Sequence, residues 1–291
     1  MSERGKIAVL MTCYNRVATT LECLKCLMPQ LGGGDKVYLV DDGSTDGTGA
    51  SVRAAYPGVR VVEGDGALYW AKGMRLAWES AIESGSKYDF FLWLNDDVML
   101  KSDAIRNLLG DYSCAQGQPY AVVVGTCSQD ESEDASSYGA TDRRDVRYEP
   151  NGCSPKVATG WFNGNVVLVP YAAYDKVGMI SGDYSHSRSD YDYAERLKHA
   201  KVPFYASSHF VGVCRRGAVK SLDGKGLTER VRSLFRPGNT NIRDLWLYRR
   251  RYFGGFRACV SCLYLVKQVL FGGHESTHRA RMRLELLNQK A

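Results

Sequence analysis

The chain has 291 residues, of which 44% are hydrophobic and 24% charged, with a formal net charge of +6. These proportions belong to a globular protein and exclude a disordered chain, a collagen-like repeat and a small disulfide-stapled scaffold. The length suits one large α/β domain with an appendage, or two domains, and a core of that size folds without a metal staple.

The charge is unevenly placed. From Arg215 to the C-terminus there are 17 Lys and Arg against 5 Asp and Glu, which leaves the first 214 residues net acidic. An acidic body with a basic tail points to an anionic surface as the tail's partner. No nucleic-acid module accompanies the charge, so no nucleic-acid partner is expected. The N-terminus shows no signal segment, and the nine cysteines are an odd number. Both features suggest a reducing, cytoplasmic setting with free thiols. The Cys23/Cys26 and Cys259/Cys262 pairs lie in apolar, helix-like stretches without the further ligands a zinc site needs. The longest apolar run, Ala258 to Val266, is far short of the roughly 18 residues of a membrane span.

In chain order, Ile7–Met11 is an apolar run that ends at the polar loop Thr12–Arg16. Leu21, Leu24, Leu27 and Met28 then recur at helical spacing. Lys36–Val40 reads as a second strand, closed by the turn-rich stretch Asp41-Asp42-Gly43-Ser44-Thr45-Asp46-Gly47-Thr48. Val59–Val62 reads as a third strand, Met74–Ile82 as a helix, and Phe90–Leu94 as a fourth strand running into Asn95-Asp96-Asp97. Repetition of strand, polar loop and helix predicts a mostly parallel sheet with helices on both faces. Ligands of such sheets bind beyond the carboxyl ends of the strands, where the loops after strands one, two and four fall. Gln129–Asp134 is an acidic excursion. Further on, Asn165–Pro170 resumes a strand, and Tyr171–Val177 and Asp190–Ala200 read as helices. Beyond a soft boundary near 215 come basic loops and helical stripes from Ile242 to Phe271.

Several segments carry chemistry. Asp41 and Asp42 after a strand can accept hydrogen bonds from a nucleobase or ribose, or simply make a turn with Ser44 or Asp46 capping the next helix. Neither a glycine-rich dinucleotide fingerprint nor a P-loop is present. Asp96 and Asp97 directly follow an apolar strand, where two acids are costly to bury unless paired or bound to a cation. Hard oxygen ligands there suit Mg²⁺ or Mn²⁺ carrying a diphosphate; the plain alternative is a turn before a helix near Ser102. Asp190 stands at a helix start, either as an N-cap or as a general base at the cleft edge. His209 is either structural or the completion of a metal site begun by Asp97.

Taken together, Thr12-Cys13-Tyr14-Asn15-Arg16, Val40-Asp41-Asp42-Gly43-Ser44-Thr45-Asp46, Asn95-Asp96-Asp97 and Asp190-Tyr191-Asp192 with Arg196 resemble the family 2 glycosyltransferases of the GT-A fold, over roughly residues 6 to 215. The resemblance implies that Thr12, with Asn15 and Arg16 in the first loop, contacts the nucleotide and that Asp42 reads the base or ribose. It implies that Asp97 binds the metal on the donor diphosphate, with Asp96 beside the sugar or ribose. Asp190 matches the catalytic base; the family's preceding Glu is Ser189 here, which leaves Asp192 as the other candidate, or as an acceptor contact. His209, followed by Gly212, resembles a late histidine that helps hold the metal or diphosphate. The loop from Gly64 and Asp65 through Trp70 and Lys72 lines the nucleotide and sugar pocket in relatives; Trp70 stacks on a sugar or fills the core. Trp161 and Asn163 are candidate acceptor contacts.

The expected protein is a metal-dependent, inverting glycosyltransferase. Its GT-A domain would span residues 1–214, with a nucleotide-sugar half to about 100 and an acceptor half from 101, followed by a basic helical extension over 215–291. Its expected partners are a UDP or dTDP sugar, with rhamnose one candidate, and a saccharide or lipid-linked acceptor of a cell-surface polysaccharide. The rival expectation is a non-catalytic carbohydrate- or nucleotide-binding protein of the same fold. In the extension, Leu245, Tyr248, Tyr252 and Phe256 form one helical stripe beside Arg243 and Arg249–Arg251. It is either a helix packed on the domain or an interfacial helix on an anionic leaflet.

Overall fold

The computed structural model describes residues 4–115, 118–216, 225–238 and 240–271. Residues 217–224 and 272–291 of the expected C-terminal extension lie outside the described residues. The first half alternates strand and helix: β1 (Ile7–Cys13), α1 (Val17–Leu27), β2 (Lys36–Asp41), α2 (Thr48–Ala55), β3 (Arg60–Glu63), α3 (Tyr69–Glu83) and β4 (Phe90–Leu94). These strands pair in parallel in the order β3-β2-β1-β4. β1 and β4 are buried on both faces, which is why they read as unbroken apolar runs. Ala8 and Leu10 pack with Met74, Ala77 and Trp78 of α3 on one face. Ile7, Val9 and Met11 pack with Cys23, Leu24 and Leu27 of α1 on the other. At Gly73, α3 comes so close to β1 that a Cβ would lie 2.3 Å from Thr12 Oγ1. Only glycine permits that approach.

The second half comprises β5 (Met99–Leu100), α4 (Ala104–Cys114), β6 (Val122–Ser128), β7 (Ser136–Tyr138), β8 (Lys156–Val157), β9 (Val166–Pro170), α5 (Tyr171–Val177), α6 (Ser189–His199) and β10 (Phe204–Val213). β6 and β10 are parallel, but β9 enters antiparallel between β4 and β6. A parallel sheet is thus the rule around β1, and β9 departs from it. Its first residue, Val166, pairs with Leu94, the last of β4. The chain entering β9 therefore arrives at the edge where β1, β2 and β4 end. All nine cysteines are free, so the structure forms no disulfide.

The tail forms α7 (Leu227–Ser233), α8 (Ile242–Phe253) and α9 (Gly255–Phe271), with α8 and α9 broken apart at Gly254, φ +86°. Asn241 caps α8, its side chain accepting from Asp244 N at 2.9 Å. Of the expected stripe, Leu245 and Tyr248 are buried, and Tyr248 clusters with Ala71, Tyr184 and Tyr191. α8 is therefore a packed helix, and Phe256 falls on α9, outside that contact. Two buried carboxylates fasten it. Asp244 accepts from Ser185 N and Oγ, at 3.1 and 2.7 Å. Asp192 accepts from Tyr184 and Tyr252 hydroxyls at 3.1 and 2.8 Å, and from Arg251 Nη1 at 2.7 Å and Arg196 Nε at 3.0 Å.

Removing the Asp192 carboxylate takes away the carboxylate partner of Arg196 and one of the two that hold Arg251, the other being Asp183. Asp192→Ala should lower unfolding free energy in urea by about 3 kcal/mol, the scale of breaking a buried ion pair.

Candidate active site

The loops at the carboxyl edge are tied to one another before any ligand is considered. Asn15 Oδ1 accepts from Thr45 N at 2.7 Å, and Val17 N donates to Asp46 Oδ2 at 3.1 Å, joining the loops after β1 and β2. Asp42 is buried, with Oδ1 accepting from Gly66 N and Leu68 N, at 3.0 and 3.2 Å, and Oδ2 from Tyr69 N at 2.8 Å. Its carboxylate thus shapes the loop that leads into α3. Asp65 is exposed in the same loop and accepts from Ala67 N at 2.9 Å. Gly64 donates to Asp41 O, and Lys72 is exposed on the first turn of α3. Asn15, Tyr69 and Arg188, non-glycine residues in the left-handed region, all stand in or beside these loops. Such backbone conformations are costly and persist where surrounding contacts enforce them.

Arg16, Asp96 and Asp97 form one cluster. Arg16 Nη1 lies 3.1 Å from Asp96 Oδ1 and 3.1 Å from Asp97 Oδ2. Asp96 is buried and also accepts from Thr20 Oγ1 at 3.3 Å. Burial pushes its carboxyl up to about 6 against the pull of Arg16, and Asp97 adds to the rise. The two carboxylates in turn raise Arg16, overcoming the effect of its burial. The Asp97 side chain is 37% exposed. A cavity of about 340 Å³ opens beside it, lined by Met99, Glu131, Val213 and Arg215. A second depression lies along the edge strand β3, lined by residues such as Arg53 and Val61, away from these carboxylates.

His209 is not brought to this cluster. The residue of the β10 exit that reaches Asp97 is Cys214, whose Sγ donates to Asp97 Oδ1 at 3.7 Å and accepts from Asn165 Nδ2 at 3.5 Å. His209 stands five residues earlier, roughly 15 Å back along an extended strand. Its Nδ1 meets Ser208 Oγ at 2.8 Å, and that serine is bonded to Asp111 of α4. Among the described residues no three His, Cys, Asp or Glu side chains gather as a metal cluster. An ion here would therefore take one or two carboxylates plus ligand oxygens, the arrangement Mg²⁺ and Mn²⁺ accept. Asp97, with Asp96 behind it, fits that pattern.

A second group of residues adjoins the first through Asn95. Trp70 Nε1 donates to Asn95 Oδ1 at 2.7 Å, and Asn95 N donates to Asn165 O at 2.9 Å. The indole lies against Gly164, where a Cβ would meet Trp70 Cη2 at 2.4 Å. Gly164 N donates to Asp190 Oδ2 at 3.3 Å, and Tyr191 N to Asp190 Oδ1 at 2.9 Å. Burial pushes the Asp190 carboxyl up to about 6, although both amides act to lower it. Beside it, the Trp161 and Tyr191 rings meet at 4.1 Å with a 37° tilt, and the buried Asn163 Oδ1 has no hydrogen-bond partner among the described residues. Arg188 lies over Tyr191 and Tyr248, 5.6 and 6.0 Å from their ring centres. Asp192, two residues on from Asp190, is 0% exposed and points into the α8 contact, so it does not join the cleft.

Of the expected residues, the structure thus joins Thr12, Arg16, Asp96, Asp97, Trp70, Asn163 and Asp190 to one edge, and sets His209 and Asp192 apart. Asn95, Gly164, Arg188, Cys214 and Arg215 were not singled out from sequence. Asn95 and Gly164 lay inside motifs already noted, whereas a lone Cys or Arg carries no spacing signal.

An α/β sheet presenting paired acids and a half-buried aspartate at its carboxyl edge, in this strand order, is the GT-A fold of a glycosyltransferase. The model of the glycosyl transferase family 2 matches residues 8–254, and the chain belongs to that family. Among curated proteins, no sequence matches this one. Solved structures share the fold at low identity. A Pyrobaculum calidifontis mannosyltransferase, in complex with GDP-Man and Mn²⁺, is 15% identical at a TM-score of 0.55, over 98% of this chain and 74% of that one. S. aureus TarS 1–349 is 12% identical at 0.51, over 98% and 91%. Its complex with UDP-GlcNAc is 11% identical at 0.51, over 98% and 92%.

The Arg16 contact has a pH signature. With a folded value near 6 against an ordinary value near 4, Asp96 costs the folded state stability as pH rises through that window. Arg16 limits the cost by favouring the ionised form. Arg16→Ala should therefore destabilise more at about pH 8 than at about pH 5, where Asp96 is largely protonated, as measured by urea unfolding at the two values.

Proposed function

We propose that this glycosyltransferase is inverting and metal-dependent, and moves one sugar from a nucleoside diphosphate sugar to a saccharide or lipid-linked acceptor. The context that fits it is assembly of a capsule or O-antigen type polysaccharide at the inner face of the cell membrane. UDP and dTDP sugars are the favoured donors, with rhamnose a candidate. The observation that carries the reading is the placement of Asp190, a half-buried residue whose carboxyl is pushed up to about 6 and held by the Gly164 amide, with Gly164 packed on Trp70 and so linked through Asn95 to Asp96 and Asp97. The described neighbours bound to GDP-Man with Mn²⁺ and to UDP-GlcNAc support a nucleotide-sugar donor and a divalent ion in this fold.

In this reading the nucleotide lies along the loops at Thr12, Asn15 and Gly64–Lys72. Asp42 acts by fixing that loop, since its oxygens already hold three amides. Trp70 and Gly164 wall the sugar, and Trp161 and Asn163 face the acceptor. Asp97, with Asp96 beside it, would hold Mg²⁺ or Mn²⁺, which supplies charge neutralisation on the leaving diphosphate. Arg16, bonded to Asp97, and Arg215, which lines the cavity beside it, take the leaving-group role that the resemblance implied for His209. Asp190 takes the proton of the acceptor hydroxyl as its oxygen attacks the anomeric carbon. The bond to the diphosphate breaks with its electron pair on the opposite face, so one displacement inverts the centre.

Asp190→Asn should leave donor affinity, measured by calorimetry, near wild type and lower turnover by about 10² or more. In the wild type kcat/KM should rise with pH through about 6 and then level off, because only the ionised carboxylate accepts the proton. Unchanged transfer by Asp190→Asn would remove it as the base. A separate measurement tests the metal: chelation should stop transfer and restored Mn²⁺ should recover it, while Asp97→Ala should lose the ion-dependent part of nucleoside diphosphate binding. Full activity in excess chelator would overturn the metal.

A further inference from the structure

The tail presents its unburied apolar surface on α9 rather than α8. Phe256, Val260, Leu263, Lys267 and Phe271 follow one another at spacings of four, three, four and four, which sets them on one helical stripe. All are exposed; Phe256 is 82%, Leu263 71% and Phe271 81% accessible. The opposite side of the helix is buried at Ala258, Ser261 and Val269. α7, which packs on α9, adds Leu227 and Val231, and Phe235 follows just beyond its end, again exposed and four residues apart. Exposed apolar side chains on this scale mark a surface that meets something other than water.

The charge around the stripe says what that is. Arg232 of α7, Arg236 just beyond it, Arg250 of α8, and Arg257 and Lys267 of α9 are exposed. Over the described residues from 225 onward there are only two acids. Asp244 is buried under α8, and Glu229 is already paired with Arg236 at 2.7 Å. The sequence beyond, to Ala291, adds Arg279, Arg281, Arg283 and Lys290 against Glu275 and Glu285. A stripe of Phe, Val and Leu with a lysine able to extend its ammonium outward, in a field of exposed arginines, matches the apolar boundary and negative surface of an anionic bilayer. Among the described residues no helix is long and apolar enough to cross a membrane, so the contact is with one leaflet.

We infer that the α7–α9 face is a membrane-docking surface for an anionic lipid leaflet, with Phe256, Leu263 and Phe271 at acyl-boundary depth and Arg232, Arg257 and Lys267 on the headgroups. The inference deepens the proposed function in one respect, the lipid-side location of the acceptor. α8 is the arm between the two surfaces: its buried side grips the α/β body through Asp192 and Asp244, and α9 leaves it at Gly254 toward the lipid.

The test uses the full-length chain and sucrose-loaded vesicles of phosphatidylcholine with or without phosphatidylglycerol. Wild type should sediment with the anionic vesicles, weakly with the neutral ones, and progressively less as salt rises. The double variant Phe256→Ser/Leu263→Ser should bind on the order of 100-fold more weakly, the loss of two apolar side chains from the lipid boundary. Arg232→Glu/Arg257→Glu should abolish the preference for anionic lipid. Both pairs are exposed, and circular dichroism with transfer to a water-soluble acceptor should match wild type, which keeps this test separate from the enzymatic reading. Binding that is equal for wild type and the double variant, or equal on neutral and anionic vesicles, would overturn the inference. So would a wild-type dimer that the double variant splits while vesicle binding stays unchanged, because the face would then be an interface between copies.

Discussion

The pairing of β9 with β4 is the constraint on which the site depends. Five register positions, from Phe90 with Pro170 to Leu94 with Val166, lock the second half of the chain onto the first. Because β9 runs opposite to β4, its entry is set beside the exit of β4, and Asn163, Gly164 and Asn165 arrive next to Asn95. The consequences are local and specific. Asn165 O receives the Asn95 amide, Gly164 receives the face of Trp70, and the Gly164 amide is left directed at Asp190. A slip of one residue would reverse every side chain of β9 across the sheet and separate these groups.

Within the site, environment gives each acid a different character. Asp96 and Asp190 are both raised to about 6 by burial, but for different ends. Asp96 is held ionisable by Arg16 and lies next to a second acid, which suits a group that shares positive charge. Asp190 is held chiefly by two backbone amides, which fix its direction without supplying a strong counter-charge. A pair of carboxyls distinguished in this way is how one cleft keeps a charge-binding role and a proton-accepting role apart. Cys214 adds a further restraint, joining Asn165 to Asp97 through one thiol.

Much of this was legible in the sequence because it is carried by local pattern. The continuous apolar runs at Ile7–Met11 and Phe90–Leu94 announced doubly covered strands, and the acids that follow Phe90–Leu94 announced the edge that binds. The direction of β9 was not legible, since Val166–Pro170 is equally apolar whichever way it pairs. The fate of Asp192 was hidden for a similar reason: its partners Arg251 and Tyr252 are about sixty residues away, and only the docking of α8 brings them near. His209 carried the appeal of residue type, but strand arithmetic places Cys214, not His209, at the carboxylates. The apolar stripe of the tail was visible, yet its break at Gly254 divided it into a packed part and an exposed part.

Asp190 and Asp192 share one turn of α6, about 200° apart around its axis. One is directed to the cleft, and the other is clamped by four donors, two of them from α8. A helix held by a side chain on its far side cannot roll freely about its own axis. The docked tail helix thus acts as a torsional stop, and the aim of the Asp190 carboxylate is set in part by a residue that never sees the cleft.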